Sequence, residues 1–153
     1  MSVYGAEPVA SPNWPKNSVP VILLVEDEAA VREVTRQVLE NAGYHVLECT
    51  GAVEALRVAS ENRGRPLVLL SDVVMPGMTG PELARELRQR NPRLITIFMS
   101  GYSNLDVMQK AGPGPAMYIQ KPFTARVLLA RISDALRKEA ATGGGELSSS
   151  LLA

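Results

Sequence analysis

Five short strand signals, each followed by a stretch with helical character, constrain this chain more than any other feature. The strand signals are Pro20–Val25, Tyr44–Glu48, Leu67–Leu70, Leu94–Met99 and Ala116–Ile119. Most are short apolar runs, as expected of strands buried on both faces. The first helical stretch is Ala29–Ala42, with Val31, Val34, Val38 and Leu39 near 3.6-residue spacing and Gly43 as its stop. Ala52–Ala59 is the second and ends by Gly64. Pro81 opens the third at a favoured first-turn position, and Arg88 and Arg90 suit its C-terminus. The fourth, over Asn104–Lys110, is expected to be short or irregular, because Gly112-Pro-Gly-Pro115 stops it. Ala125–Lys138 is the fifth, with Val127, Leu128, Ile132, Ala135 and Leu136 on its apolar side. Such alternation predicts an α/β fold: a doubly wound, five-stranded parallel sheet with helices on both faces, joined by right-handed crossovers.

The 153 residues suffice for one domain with a substantial core, expected over residues 20–139. Residues 1–19 contain three prolines among small residues and read as a flexible leader or linker. Residues 140–153 read as a flexible Gly/Ser tail, too short for a DNA-binding output module. Sixteen basic residues balance sixteen acidic ones, so no overall field favours nucleic acid or an anionic membrane. The arginines between Arg85 and Arg93 read as the solvated face of a helix. No apolar stretch approaches the roughly 20 residues needed to span a bilayer, and the N-terminus lacks the pattern of a signal peptide. Cys49 is the only cysteine, which excludes an intrachain disulfide and fits a reducing, cytoplasmic setting. It reads as a packed residue, and His45 as a surface or packing residue.

The strand ends carry the chemistry. The first strand ends in Glu26-Asp27, the third in Asp72, the fourth in Ser100 and the fifth in Gln120-Lys121. Met75-Pro76-Gly77 breaks the chain just after Asp72, since Pro lacks a backbone donor and Gly permits positive φ. Alone, an Asp before a turn is a cap or turn former. In a parallel sheet, however, all the carboxyl ends share one edge, where ligands bind. Three carboxylates gathered there raise one another's pKa, and a divalent cation removes that conflict. Oxygen ligands without His or Cys favour Mg²⁺ or Mn²⁺. A carboxylate beside such an ion can attack a phosphoryl group, while an ammonium and a hydroxyl neutralise the transferred oxygens.

Leu23-Leu-Val-Glu-Asp-Glu28, Ser71-Asp-Val-Val-Met-Pro-Gly-Met-Thr-Gly80, Phe98-Met-Ser-Gly101 and Tyr118-Ile-Gln-Lys-Pro-Phe123 resemble the receiver domain of two-component response regulators. Phe98-Met-Ser-Gly-Tyr102 looks most like receivers of hybrid histidine kinases. The resemblance implies a flavodoxin-like (βα)5 fold with strand order 2-1-3-4-5. It implies that Asp72 is the phosphoacceptor, with Lys121 and Ser100 assisting and Ser100 and Tyr118 as the switch pair. It implies a metal site from Glu26, Asp27, Asp72 and the Val74 carbonyl, and a cis bond between Lys121 and Pro122. Val74 departs from the acids or amides that influence hydrolysis in the family, so a long-lived phosphoaspartate is implied. The implied partners are a histidine kinase or His-phosphotransfer protein and a downstream protein effector, with no direct nucleic acid and no membrane. A phosphohydrolase would need a second acid where Val74 stands. A pseudo-receiver used only for interaction would be expected to lose Asp72, Asp27 or Lys121. The chain thus reads as an acceptor domain rather than a turnover enzyme, whether stand-alone or excised from a hybrid kinase.

Overall fold

β1 (Val21–Val25) is buried at every position, and its side chains alternate between two cores. Val21, Leu23 and Val25 belong to one core and Ile22 and Leu24 to the other. That alternation is why an unbroken apolar run, rather than an in-out pattern, specifies a central strand covered on both faces. The computed structural model describes residues 20–101 and 117–152, with side chains described as far as residue 139. After β1 come α1 (Ala29–Asn41), β2 (His45–Cys49), α2 (Ala52–Glu61), β3 (Leu67–Asp72), α3 (Gly80–Arg90), β4 (Ile95–Ser100), β5 (Met117–Gln120) and α4 (Ala125–Leu152). All strand pairings are parallel, in the order β2-β1-β3-β4-β5, as expected. The helix expected over Asn104–Lys110 lies outside the described residues, as does the leader over residues 1–19.

Each helix covers one face. Ala52, Ala55 and Ala59 of α2 and Leu83, Ala84 and Leu87 of α3 pack with the Leu23 core. Leu39 of α1 and Leu128, Ile132, Ala135 and Leu136 of α4 pack with the Leu24 core. Removing a Leu or Ile side chain from water in this way is worth roughly 1.5–3 kcal/mol each. α3 starts with a capping box that spacing alone did not bring out. The Thr79 hydroxyl accepts from the Glu82 amide and the Glu82 carboxylate accepts from the Thr79 amide, both at 3.2 Å. Such a cap contributes about 1 kcal/mol.

Three expectations need correction. In α1 the 3.6-residue spacing placed Val34 on the apolar stripe, yet Val34 is 60% exposed. Thr35 is buried instead, because its hydroxyl donates to the Val31 carbonyl at 2.7 Å and so enters the interface satisfied. Val127 of α4 is likewise exposed, while its other predicted apolar residues are buried. Finally, α4 continues to Leu152, where a Gly/Ser tail was expected after residue 139. No proline follows Pro122, so no backbone donor is lost, and glycine weakens a helix by about 1 kcal/mol without blocking it.

Candidate functional site

Parallel pairing brings the ends of β1, β3, β4 and β5 to one edge. β3 runs two residues beyond the apolar run that announced it, so Asp72 is itself a strand residue, paired with Met99. The Ser71 hydroxyl donates to the Asp72 carbonyl at 2.9 Å, and the Val73 amide donates to the Met99 carbonyl at 3.0 Å. Gly77, at φ 87°, takes the left-handed conformation that completes the turn after Asp72. α3 then returns so closely that Gly80 lies against the Asp72 carbonyl and the Phe98 ring.

Glu26, Asp27 and Asp72 offer carboxylate oxygens that all lie within 4.8 Å of one another. Glu26 and Asp72 are buried and Asp27 is exposed, so the cluster has a dry side and a wet side. Lys121 enters from beyond β5. Its Nζ donates to Glu26 Oε1 at 2.6 Å and lies 2.5 Å from Asp72 Oδ1. The Asp72 contact is an ion pair. Oδ1 is buried with acceptor capacity left over. The Glu28 amide donates to Glu26 Oε2 at 3.3 Å, and Arg32 Nη1 donates to the Glu26 carbonyl at 2.8 Å. The Lys121 amide donates to the Ser100 carbonyl at 2.8 Å, which holds the ends of β4 and β5 together, and the Lys121–Pro122 bond is cis.

The sequence-predicted residues thus divide into two groups. Glu26, Asp27, Asp72 and Lys121 form one contacting cluster. Ser100 is buried beside it, and Tyr118 packs on Phe98 with ring centroids 5.6 Å apart. Among the described residues, neither hydroxyl bonds to a carboxylate. Val74 stands exposed just beyond β3. His45 is exposed, with Nδ1 3.2 Å from Arg65 Nη2, and Cys49 is buried, which pushes its thiol up to about 12. Both lie outside the cluster, as expected. Sequence reasoning missed Arg32, Ser71 and Gly80. Arg32 could have been found from its place one helical turn after an acidic strand end, and Gly80 from its place at the start of α3.

Burial and the neighbouring Glu26 carboxylate push Asp72 up to about 8. Burial acts against ionisation of Glu26 too, but hydrogen bonding with Asp72 and Lys121 outweighs it, so Glu26 is lowered. For Lys121, burial opposes the charge and the two carboxylates outweigh burial, so its pKa is raised. Without a metal ion, the Glu26–Asp72 pair therefore holds a proton to higher pH than a free carboxylate does, with Asp72 the favoured side. An oxygen-only donor set, an under-used buried Oδ1 and an open side at Asp27 fit a hard divalent cation that keeps water ligands. The sign of the pH effect follows. Folded Asp72 holds a proton that the unfolded chain has released between its ordinary value of 3.8 and about 8. Metal-free stability from this group is present at acid pH and is lost as pH rises across that window. Thermal melts without Mg²⁺ should fall towards alkaline pH, and the stabilisation added by Mg²⁺ should grow over the same range. An Asp72→Asn protein should flatten both trends.

A parallel sheet of this order, with helices on both faces, is the fold of CheY-like receivers. The chain belongs to the response regulator receiver domain family, whose model matches residues 22–133. It is 41% identical over 120 residues to the sensor kinase CckA of Brucella abortus, covering 77% of this chain and 13% of the kinase. It is 33% identical over 125 residues to the transcriptional regulatory protein CseB of Streptomyces coelicolor, covering 82% of this chain and 53% of the regulator. The chain thus spans a small part of the kinase and about half of the regulator. The crystal structure of the receiver domain from the hybrid histidine kinase CckA aligns at a TM-score of 0.64 and 34% identity, covering 76% of this chain and 98% of that one. Among the described residues, no helix is long and apolar enough to cross a membrane.

Proposed function

We propose that this receiver accepts a phosphoryl group on Asp72 from a phosphohistidine of a histidine kinase or phosphotransfer protein. The observation that carries the reading is the buried Asp72 carboxyl, with Oδ1 2.5 Å from Lys121 Nζ, beside two further carboxylates. An Asp72 oxygen attacks phosphorus, and the bond from phosphorus to the imidazole nitrogen breaks. The electron pair stays on that nitrogen, which takes up a proton, and an acyl phosphate remains on Asp72. Asp27, Asp72 and the Val74 carbonyl would hold Mg²⁺ or Mn²⁺ directly, with Glu26 contributing from the buried side. Bound there, the ion neutralises the carboxylates and the oxygens of the transferred group. Lys121 holds Asp72 in place and faces the incoming charge. The Ser100 hydroxyl turns towards the phosphoryl group, and Tyr118 shifts against Phe98 to carry the change to a downstream effector. Hydrolysis is slow, because Val74 offers no polar side chain to orient water.

The chain acts as an acceptor rather than a turnover enzyme, in the cytoplasm. The likeness to a sensor kinase, of which it spans only 13%, favours a second reading in which this receiver works as a module of a hybrid histidine kinase. Incubation with Mg²⁺ and a small phosphodonor should give a hydroxylamine-labile adduct at Asp72, and Asp72→Asn should abolish it. Equal labelling of the variant would sink the assignment. Retention of Asp72, Asp27 and Lys121 argues against a pseudo-receiver.

A further inference from the structure

We infer that Arg32 is a positioning residue for the divalent-cation site: it fixes the main chain at Glu26 so that the carboxylates of Glu26 and Asp27 meet Asp72. The inference rests on the cation binding proposed above. Arg32 lies at the end of the first turn of α1. Its Nη1 donates to the Glu26 carbonyl at 2.8 Å, and its Nε faces Glu48 Oε1 of β2 at 3.7 Å. Its side chain is only 18% exposed, so the guanidinium is held between α1, β2 and the acidic turn rather than ranging through solvent. Glu48 is oriented in turn by Arg36, whose Nε lies 3.5 Å away.

The acidic turn has few other tethers. The ladder between β1 and β3 ends at Val25 and Ser71, so Glu26 lies outside it. Its amide reaches the Cys49 carbonyl at 3.2 Å, which anchors one side of the residue. Its carbonyl, beside a side chain only 1% exposed, needs a donor, and Arg32 supplies it. α1 has no side-chain N-cap bond to stiffen its entry. Arg32 therefore fixes the carbonyl side of Glu26, while the Cys49 carbonyl holds its amide and Lys121 and the Glu28 amide hold its carboxylate; the direction in which the chain leaves Glu26 for Asp27 depends on the guanidinium. Partners of this outer kind typically change metal affinity 10–100-fold when removed.

Electrostatics alone has the opposite sign, which makes the idea testable. A guanidinium bonded to the Glu26 carbonyl puts positive charge beside the acidic turn and repels a divalent cation, so on charge alone its removal would tighten binding. Mn²⁺ binding to the full chain, followed by electron paramagnetic resonance without any phosphodonor, separates the two. Arg32→Ala should weaken Mn²⁺ binding by about tenfold or more. Glu48→Gln keeps the bond to the Glu26 carbonyl and should change affinity by less than about threefold. Arg32→Lys, which retains the charge and a donor, should restore part of the loss and carries the test if Arg32→Ala fails to fold. In metal-free protein, Arg32→Ala should also speed amide exchange at Asp27 and Glu28 without affecting β3. Unchanged or tighter Mn²⁺ binding by Arg32→Ala, or by Arg32→Lys where only that variant folds, would overturn the inference. Failure of the unaltered chain to bind Mn²⁺ would instead remove the cation reading on which it stands.

Discussion

Gly80→Ala is expected to destabilise the domain by about 2 kcal/mol or more, from the addition of a single methyl group. A Cβ at Gly80 would sit 2.4 Å from the Asp72 carbonyl oxygen and 3.1 Å from Phe98 Cδ1. A backbone oxygen cannot rotate aside, so either α3 or the tip of β3 must move. Overpacking of this kind costs roughly 1–3 kcal/mol and occasionally more. The gain from replacing glycine, roughly 0.4–1 kcal/mol through the unfolded chain, offsets only part of it. The Gly80 amide also donates to the Val73 carbonyl at 2.8 Å, so retreat of α3 strains the turn after Asp72. Gly77→Ala is the matched comparison. Gly77 has φ 87° but nothing within 4 Å of an added Cβ, so its cost is backbone strain alone, about 1–2 kcal/mol. Urea denaturation should rank Gly80→Ala as the more damaging, and Mn²⁺ titration should show weakened binding for that variant. The reverse ranking would mean that the close approach of α3 to Asp72 does not hold in solution.

Lys121→Met carries the other large effect. The exchange keeps most of the stem and removes the ammonium that lies between Glu26 and Asp72. Those two residues are 1% and 6% exposed, so the Glu26 charge, beside an Asp72 carboxyl that burial keeps from ionising readily, is left without a counter-ion in a dry place. Breaking a buried pair costs roughly 3–5 kcal/mol, and the lower end applies here because the Lys121 side chain is 27% exposed. Without Mg²⁺, we expect a loss of about 2–3 kcal/mol at neutral pH by chemical denaturation. Mg²⁺ should restore much of this, and should bind more tightly than to the unaltered chain because a competing cation is gone. Labelling by a small phosphodonor should nevertheless slow by about tenfold or more, since the transferred oxygens lose their fixed positive partner. Tighter Mg²⁺ binding with slower labelling distinguishes loss of the ammonium from general damage to the site. Weaker binding and an unchanged rate would contradict the role given to Lys121.

The strands were legible because a central parallel strand leaves a local mark, a continuous apolar run, that needs no knowledge of its neighbours. The carboxylate cluster was legible for a related reason. Once the strands are parallel, Glu26, Asp27, Asp72 and Lys121 must share an edge wherever they fall in sequence. What escaped depends on pairs of elements. The 3.6-residue pattern counts Val34 as apolar and Thr35 as polar, but a threonine that bonds its own helix buries without penalty. Gly80 looks like a turn residue until the Asp72 carbonyl and the Phe98 ring are brought beside it. Arg32 looks like a surface cation until the Glu26 carbonyl is seen to lack a donor. The end of α4 was misjudged because Gly/Ser composition was read as a flexible tail although no proline breaks the helix.

β1 has a consequence that goes beyond stability. Its five residues feed two cores on opposite sides of the sheet, and both of its edges are hydrogen-bonded to neighbouring strands. Neither layer can come loose while this strand stays in place. Its amides should therefore exchange with solvent only when the whole domain opens, whereas helix ends exchange through local fraying. Glu26 and Asp27 follow directly from this least yielding segment. The acidic end of the site thus inherits a fixed reference frame, against which motion elsewhere along the edge can be read out.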